Sequence, residues 1–163
     1  WIGIPSQWFY GSIWRMPKYE TQDDLDNEKR VANLLAGAGY ELYKLPVRYE
    51  LDFAIHDRRD GGICGFAEVK ARRARHDAYP TVMISLSKVL RAKQLTETTG
   101  LPSYLIFLYQ DCLAKLNFAA PFSVQKGGRS DRGDPQDADV CAYYQQSDLT
   151  IIRSFETDVD VKE

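Results

Sequence analysis

Apolar and polar positions change period several times along this chain, and each change marks an element. From Thr21 to about Ala38, Leu25, Val31, Ala32 and Leu35 recur at helical spacing, with Glu28 the one charged residue on that stripe. Thr21-Gln-Asp-Asp-Leu-Asp puts a capping side chain and acidic residues at the positive end of this helix, and Gly37 and Gly39 bracket its other end. Tyr40–Pro46 then leads into two apolar runs, Arg48–Ile55 and Gly62–Lys70, on either side of a polar turn at Asp57–Gly61. These runs predict a β-hairpin. Side chains alternate along a strand, so Glu68 and Lys70 project to one face, which Cys64 and Phe66 share. Asp52, on the incoming strand, lies about as far before the turn as Glu68 lies beyond it.

A basic loop, Ala71–His76, follows the hairpin, and then Tyr79-Pro80. Ser85 or Ser87 can cap a second helix that runs through about Thr98, stops at Gly100 and has Pro102 beyond it. Ser103–Tyr109 is nearly continuously apolar and predicts a buried strand, paired with Leu113–Phe118 across Gln110-Asp-Cys. Gln125–Asp139 is polar and glycine-rich and predicts a long loop. Leu149–Ile152 predicts a last strand or helical turn, before an acidic tail expected to fray. The expected fold is α/β: a mixed central sheet flanked by helices. With no internal repeat and no linker, one domain is expected: an aromatic arm at 1–19, a core at 20–120, and a polar loop and extension of the same domain at 121–163.

Bulk properties narrow the class only a little. At 163 residues, with 44% hydrophobic and 27% charged residues, the chain is long enough to bury a core, and its composition is that of a globular protein. No apolar run approaches the roughly 20 residues of a membrane helix, so no membrane partner is expected. The first residues, with Trp1, Trp8, Phe9, Tyr10 and Trp14, lack the order of a signal peptide, and the chain starts without Met, as a trimmed one would. Cys64, Cys112 and Cys141 are odd in number and show no CxxC spacing, which fits buried thiols in a reducing, cytoplasmic setting.

Candidate chemistry lies on the hairpin. Two carboxylates and an ammonium on otherwise apolar strands are costly unless something uses them, and a divalent metal with an activated water does. Asp52 and Glu68 offer hard oxygen ligands suited to Mg²⁺, the Val69 carbonyl offers another, and Glu28 would complete the shell directly or through water. Lys70, beside such a dication, would lose proton affinity and could orient or help deprotonate an attacking water. The plainer alternatives are a same-face ion pair between Glu68 and Lys70, and a Glu28 paired near Lys29 or Arg30.

The order Glu28, Asp52, Glu68-Val69-Lys70 resembles the PD-(D/E)XK nuclease superfamily over about residues 20–110, with Leu51 where the nominal motif has Pro. The resemblance implies a restriction-endonuclease-like core of αβββαβ type. It also implies Mg²⁺-dependent phosphodiester hydrolysis, with Mn²⁺ as substitute, leaving a 5′-phosphate and a 3′-hydroxyl.

The net charge of −2 does not by itself point to nucleic acid, but its distribution does. From Ala71 to Lys93, the six basic residues Arg72, Arg73, Arg75, Lys88, Arg91 and Lys93 face Asp77 alone. Such a cluster matches phosphate contacts, with Lys88 and Arg91 one turn apart as phosphate clamps and Gln94 beside them. Arg129 and Arg132 are weaker candidates, and His56 and His76 have no partner at ligand spacing. The reading is a DNA endonuclease, small enough to be stand-alone or homodimeric, and phage or mobile-element encoded. A decayed DNA-binding protein, a structural phage protein and an RNA nuclease remain alternatives.

Overall fold

The computed structural model describes residues 21–128 and 138–155. The aromatic arm, Arg129, Arg132 and the acidic tail lie outside the described residues. Helix α1 (Gln22–Ala36) opens on a capping box in which Thr21 accepts from the Asp24 backbone while the Asp24 carboxylate accepts from that of Thr21. Val31 and Leu35 are buried as the periodicity requires, whereas Leu25, near the start of α1, is exposed.

Strands β1 (Tyr40–Lys44), β2 (Phe53–Asp57), β3 (Ile63–Ala71), β5 (Ser103–Leu108), β6 (Cys112–Asn117) and β9 (Thr150–Ser154) form a six-stranded sheet in the order β1-β2-β3-β5-β6-β9. Only β3 and β5 are parallel, joined through β4 (Thr81–Ser85) and helix α2 (Leu86–Thr99). Gly65 lets their ends close up, since a Cβ there would lie 2.8 Å from the Pro102 carbonyl oxygen. Helix α1 packs on one face of the sheet over Phe53, Ile55, Ala67, Val69 and Ile106. Helix α2 covers the other over Ala54, Phe66, Leu105 and Phe107. The mixed sheet between helices is the expected fold class, Ser85 is the cap of α2, and the expected last element is a strand, at Thr150–Ser154.

Three expectations change. Tyr40–Lys44 is an edge strand paired with β2, not merely a lead-in. The incoming arm of the hairpin is shorter than Arg48–Ile55: Val47–Tyr49 form a 3-10 turn, Glu50 adopts a left-handed backbone (φ 59°), and the strand begins at Phe53. Cys64 does not share a face with Phe66 and Glu68. The register slips between Ile55 and His56, and this bulge turns Cys64 toward the α1 side, onto the core cluster that holds Val31, Leu35 and Ile55.

A second, three-stranded sheet was missed. It runs β4-β8-β7, with β7 at Phe122–Gly128 and β8 at Ala138–Gln145, so both ends of the expected Gln125–Asp139 loop are strand. β7 is an exposed edge whose polar side chains read as loop, and Gly127 is there because a Cβ would meet the Cys141 sulfur at 2.8 Å. Helix α2 joins the two sheets by packing on β4, β5 and β8, with Tyr144 fully buried beneath it. Its hydroxyl donates to the Phe118 carbonyl at 3.0 Å.

Candidate active site

The antiparallel ladder between β2 and β3 reaches Phe53 opposite Ala67, and the Asp52 N–H still donates to the Ala67 carbonyl at 3.1 Å. Beyond that, the chain leaves the sheet through Leu51 and Glu50, so the next outward N–H of β3, that of Val69, has no strand to pair with. The Asp52 carboxylate takes this role, with Oδ2 accepting from Val69 N at 2.8 Å. N–H and C=O of one strand residue point to the same edge, so the Val69 carbonyl faces this side as well. Asp52 therefore sits between Glu68 and Lys70, at the end of β2 rather than within it.

Glu68 lies on the α2 side of β3 and is only 1% exposed. A carboxylate so deeply buried stays ionised only with charged partners. It has two: Lys70 Nζ reaches Oε1 at 2.7 Å, and Lys88 Nζ, from the first turn of α2, reaches Oε2 at 3.1 Å. Lys88 also donates to the Glu50 carbonyl at 2.6 Å, which the left-handed turn presents to it. The sequence suggested Lys88 as a phosphate clamp. Its ammonium turns into the site, on the side of the sheet that α2 and Glu68 share.

Glu28 lines the same cavity, of about 550 Å³, together with Asp24, Asn27, Lys44, Asp52, Glu68, Lys70 and Lys88. Its partner is Lys44 at the end of β1, which donates to both carboxylate oxygens at 2.6 and 2.8 Å. Neither Lys29 nor Arg30 takes that place. Lys44 was missed, since only the pairing of β1 with β2 carries it to α1. Asp24 is held below the usual carboxylate range by hydrogen bonds from the Thr21 backbone and side chain, with a smaller contribution from the charge of Lys70.

A larger cleft of about 1490 Å³ shares Asp24, Asn27, Ala71 and Arg72 with this cavity and continues along the basic loop past Arg73, Arg75, His76 and Tyr79. Arg72 lies over the Phe107 ring, 5.9 Å from its centroid, and donates to the Ala71 and Met83 carbonyls. Arg91 is turned to Glu50 at 3.2 Å and to Gln94 at 2.7 Å, on the same side of α2 as Lys88. Lys93 is not part of this group: it is 70% exposed, lines neither cavity and sits 3.8 Å from Glu97.

His76 does have a carboxylate partner, which sequence spacing could not reveal. Its backbone N–H and Nδ1 contact the two Asp111 oxygens at 3.0 and 2.7 Å, and Arg75 Nη2 approaches Oδ2 at 3.3 Å. Burial opposes ionisation of Asp111, yet the His76 side-chain and backbone hydrogen bonds hold its carboxyl below the ordinary range. The Cys112 sulfur lies within 4.8 Å of this pair. Burial pushes that thiol up, so it stays protonated, while both Asp111 oxygens are already engaged. The cluster acts as a clasp that ties the basic loop to the β5–β6 turn, a tie reinforced by the Gln110 N–H on the Ala74 carbonyl at 3.1 Å.

The donor set around β3 suits a divalent cation. Asp52, Glu68 and the Val69 carbonyl are hard oxygen donors on neighbouring positions, and Glu68 already demands cationic partners. The arrangement is similar in fold to the solved structure of Archaeoglobus fulgidus Hjc, a Holliday junction resolvase from an archaeal hyperthermophile. The two share 12% identity with a TM-score of 0.54, over 78% of this chain and 90% of that one. No curated protein matches the sequence. Residues 14–152, which span both helices, both sheets and every site residue described above, match the family described as phage putative PDDEXK endonuclease, and the chain belongs to that family.

Proposed function

We propose that this nuclease is a divalent-metal-dependent endonuclease acting on DNA. The observation that carries the reading is the meeting of Asp52, Glu68 and Lys70 where β2 leaves β3. A bound Mg²⁺ or Mn²⁺ would neutralise charge on the scissile phosphate and lower the pKa of a bound water. Asp52, Glu68 and the Val69 carbonyl would hold it, and Glu28 would join them only by loosening its bond to Lys44. Lys70 Nζ orients the attacking water from the other side of the Glu68 carboxylate. An oxygen–phosphorus bond would form from the water as it gives up a proton to solvent, the bond to the 3′-oxygen would break and that oxygen take up a proton from solvent, leaving a 5′-phosphate and a 3′-hydroxyl.

DNA as substrate rests on the cleft that leads from this cavity along Arg72, Arg73 and Arg75. The fold neighbour is named as a Holliday junction resolvase, which puts branched DNA among the substrates to try. The presence of Glu28, Asp52, Glu68 and Lys70 together argues against a decayed, merely DNA-binding protein. The test is a cleavage assay on plasmid, linear, single-stranded, four-way-junction and RNA substrates with Mg²⁺, Mn²⁺, Ca²⁺ or excess chelator. Internal cuts in DNA with Mg²⁺ or Mn²⁺, and binding with little cleavage in Ca²⁺, are expected. Full activity in chelator, or cleavage of RNA alone, would overturn the reading.

A further inference from the structure

Glu68 carries more positive charge than its ionisation needs. Lys70 alone, two residues along the same strand and on the same face, already supplies a counter-ion at 2.7 Å. The second ammonium, that of Lys88, stands in the first turn of α2, where the helix dipole disfavours a cation and no acidic residue is present to offset it. It remains there by virtue of two contacts: Glu68 Oε2 at 3.1 Å and the Glu50 carbonyl at 2.6 Å. That carbonyl is offered by a residue in left-handed conformation, at the point where the chain departs from β2 just before Asp52.

Between them, Lys70 and Lys88 cover both oxygens of Glu68. A metal that takes Asp52 and Glu68 together competes with these ammonium groups, in charge and in space, for the same two oxygens. Both lysines reach Glu68 on flexible four-carbon stems, but only Lys88 is shown with a second anchor to keep when it lets go, the Glu50 carbonyl. We propose that Lys88 is a resident counter-cation of Glu68, which stands in for the divalent metal and must yield its ion pair when the metal binds. This rests on the metal-dependent reading above. Asp52 and Glu68 are balanced by Lys70 and Lys88 without metal. Once a dication enters, these four side chains and the metal together carry two surplus positive charges, and Lys88, still lining the cavity, is free to meet a phosphodiester. Lys88 is thus a positioning residue whose release couples metal binding to DNA binding.

The experiment titrates Ca²⁺ and Mn²⁺ into the full chain by calorimetry, comparing wild type with Lys88→Met, Lys88→Arg and Glu68→Gln. Lys88→Met should bind metal about tenfold more tightly, Lys88→Arg should restore weak binding, and Glu68→Gln should bind poorly. Should Lys88→Met not fold, the wild-type protein decides by NMR of its lysine ammonium groups. At saturating Ca²⁺ the Lys88 signal should lose its Glu68 hydrogen bond while that of Lys70 keeps it. Metal binding that needs Glu68 but leaves the Lys88 ammonium signal unchanged would overturn this inference alone, as would an unaltered affinity in a folded Lys88→Met. No metal binding by the wild type, or binding indifferent to Glu68, would overturn the metal-dependent reading with it.

Discussion

Glu68 and Asp111 are both buried carboxylates held by two basic side chains, and they do different things. Asp111 is gripped by a backbone N–H and the ring of the same His76, with Arg75, which also reaches Asp77, alongside. Its neighbour Cys112 is kept protonated by burial. Glu68 is held by two lysines on flexible stems, on the wall of a cavity that also receives Asp52, the Val69 edge and Glu28. A buried acid is therefore not by itself a site. Converging oxygen donors, together with partners able to leave, distinguish a place for chemistry from a fastening.

The largest effect should come from breaking the Glu68 side of this comparison. Glu68→Gln and Lys70→Ala should each lower the cleavage rate by about 10²–10⁴-fold in a single-turnover assay. DNA binding should survive better in Lys70→Ala, where the metal ligands Asp52 and Glu68 remain. A wild-type rate in either variant would remove the hairpin from the mechanism.

Asp111→Asn should leave the saturating rate close to wild type while costing about 1–3 kcal/mol in urea unfolding, because donors are left without their acceptor. Freed from the clasp, the basic loop should bind DNA more weakly. Loss of turnover at saturating DNA would place the clasp in the chemistry after all, and a rise in Tm with added zinc would make it a metal site.

The clasp also sets a pH dependence. The Asp111 carboxyl is lowered in the folded protein, so its stabilisation is complete above the ordinary carboxylate pKa. It is lost as pH falls through the lower folded value. Wild type should thus lose stability on acidification more steeply than Asp111→Asn, in unfolding curves recorded from pH 6 downward. Parallel curves would show that Asp111 gains nothing from His76.

Smaller still is the effect of the charges that only touch phosphate. Arg73→Ala should flatten the dependence of log Kd on log salt by about one unit without changing the rate at saturation. Lys93→Ala is the control on the outer face of α2. Its single pair with Glu97 is worth about 0.3–0.5 kcal/mol, and the salt slope should not move.

Much of this molecule was readable locally. The stripe through Val31 and Leu35, the cap at Ser85, the stop at Gly100 and the β5–β6 pair follow from periodicity and turn chemistry within a few residues. What escaped was short, edge-bound or contingent. β4 and β7 carry too few alternating apolar residues to stand out from loop, and the bulge at Ile55/His56 moved Cys64 to the other face by adding one residue to a strand.

The Glu68-Val69-Lys70 tripeptide on an apolar strand determined, from sequence alone, that a carboxylate and an ammonium would share one face, since a strand's period of two leaves no other choice. An earlier Asp52 at hairpin distance determined that a second carboxylate would stand nearby. Tertiary structure alone decided which cations answer them. Lys88 meets Glu68 across 20 positions, Lys44 meets Glu28 across 16 and His76 meets Asp111 across 35. Those distances are closed by the parallel crossover, the edge pairing of β1 and the turn between β5 and β6. Side-chain direction is a local property of the backbone, whereas the partner of a charge depends on which elements pack together, and no periodicity in the chain encodes that.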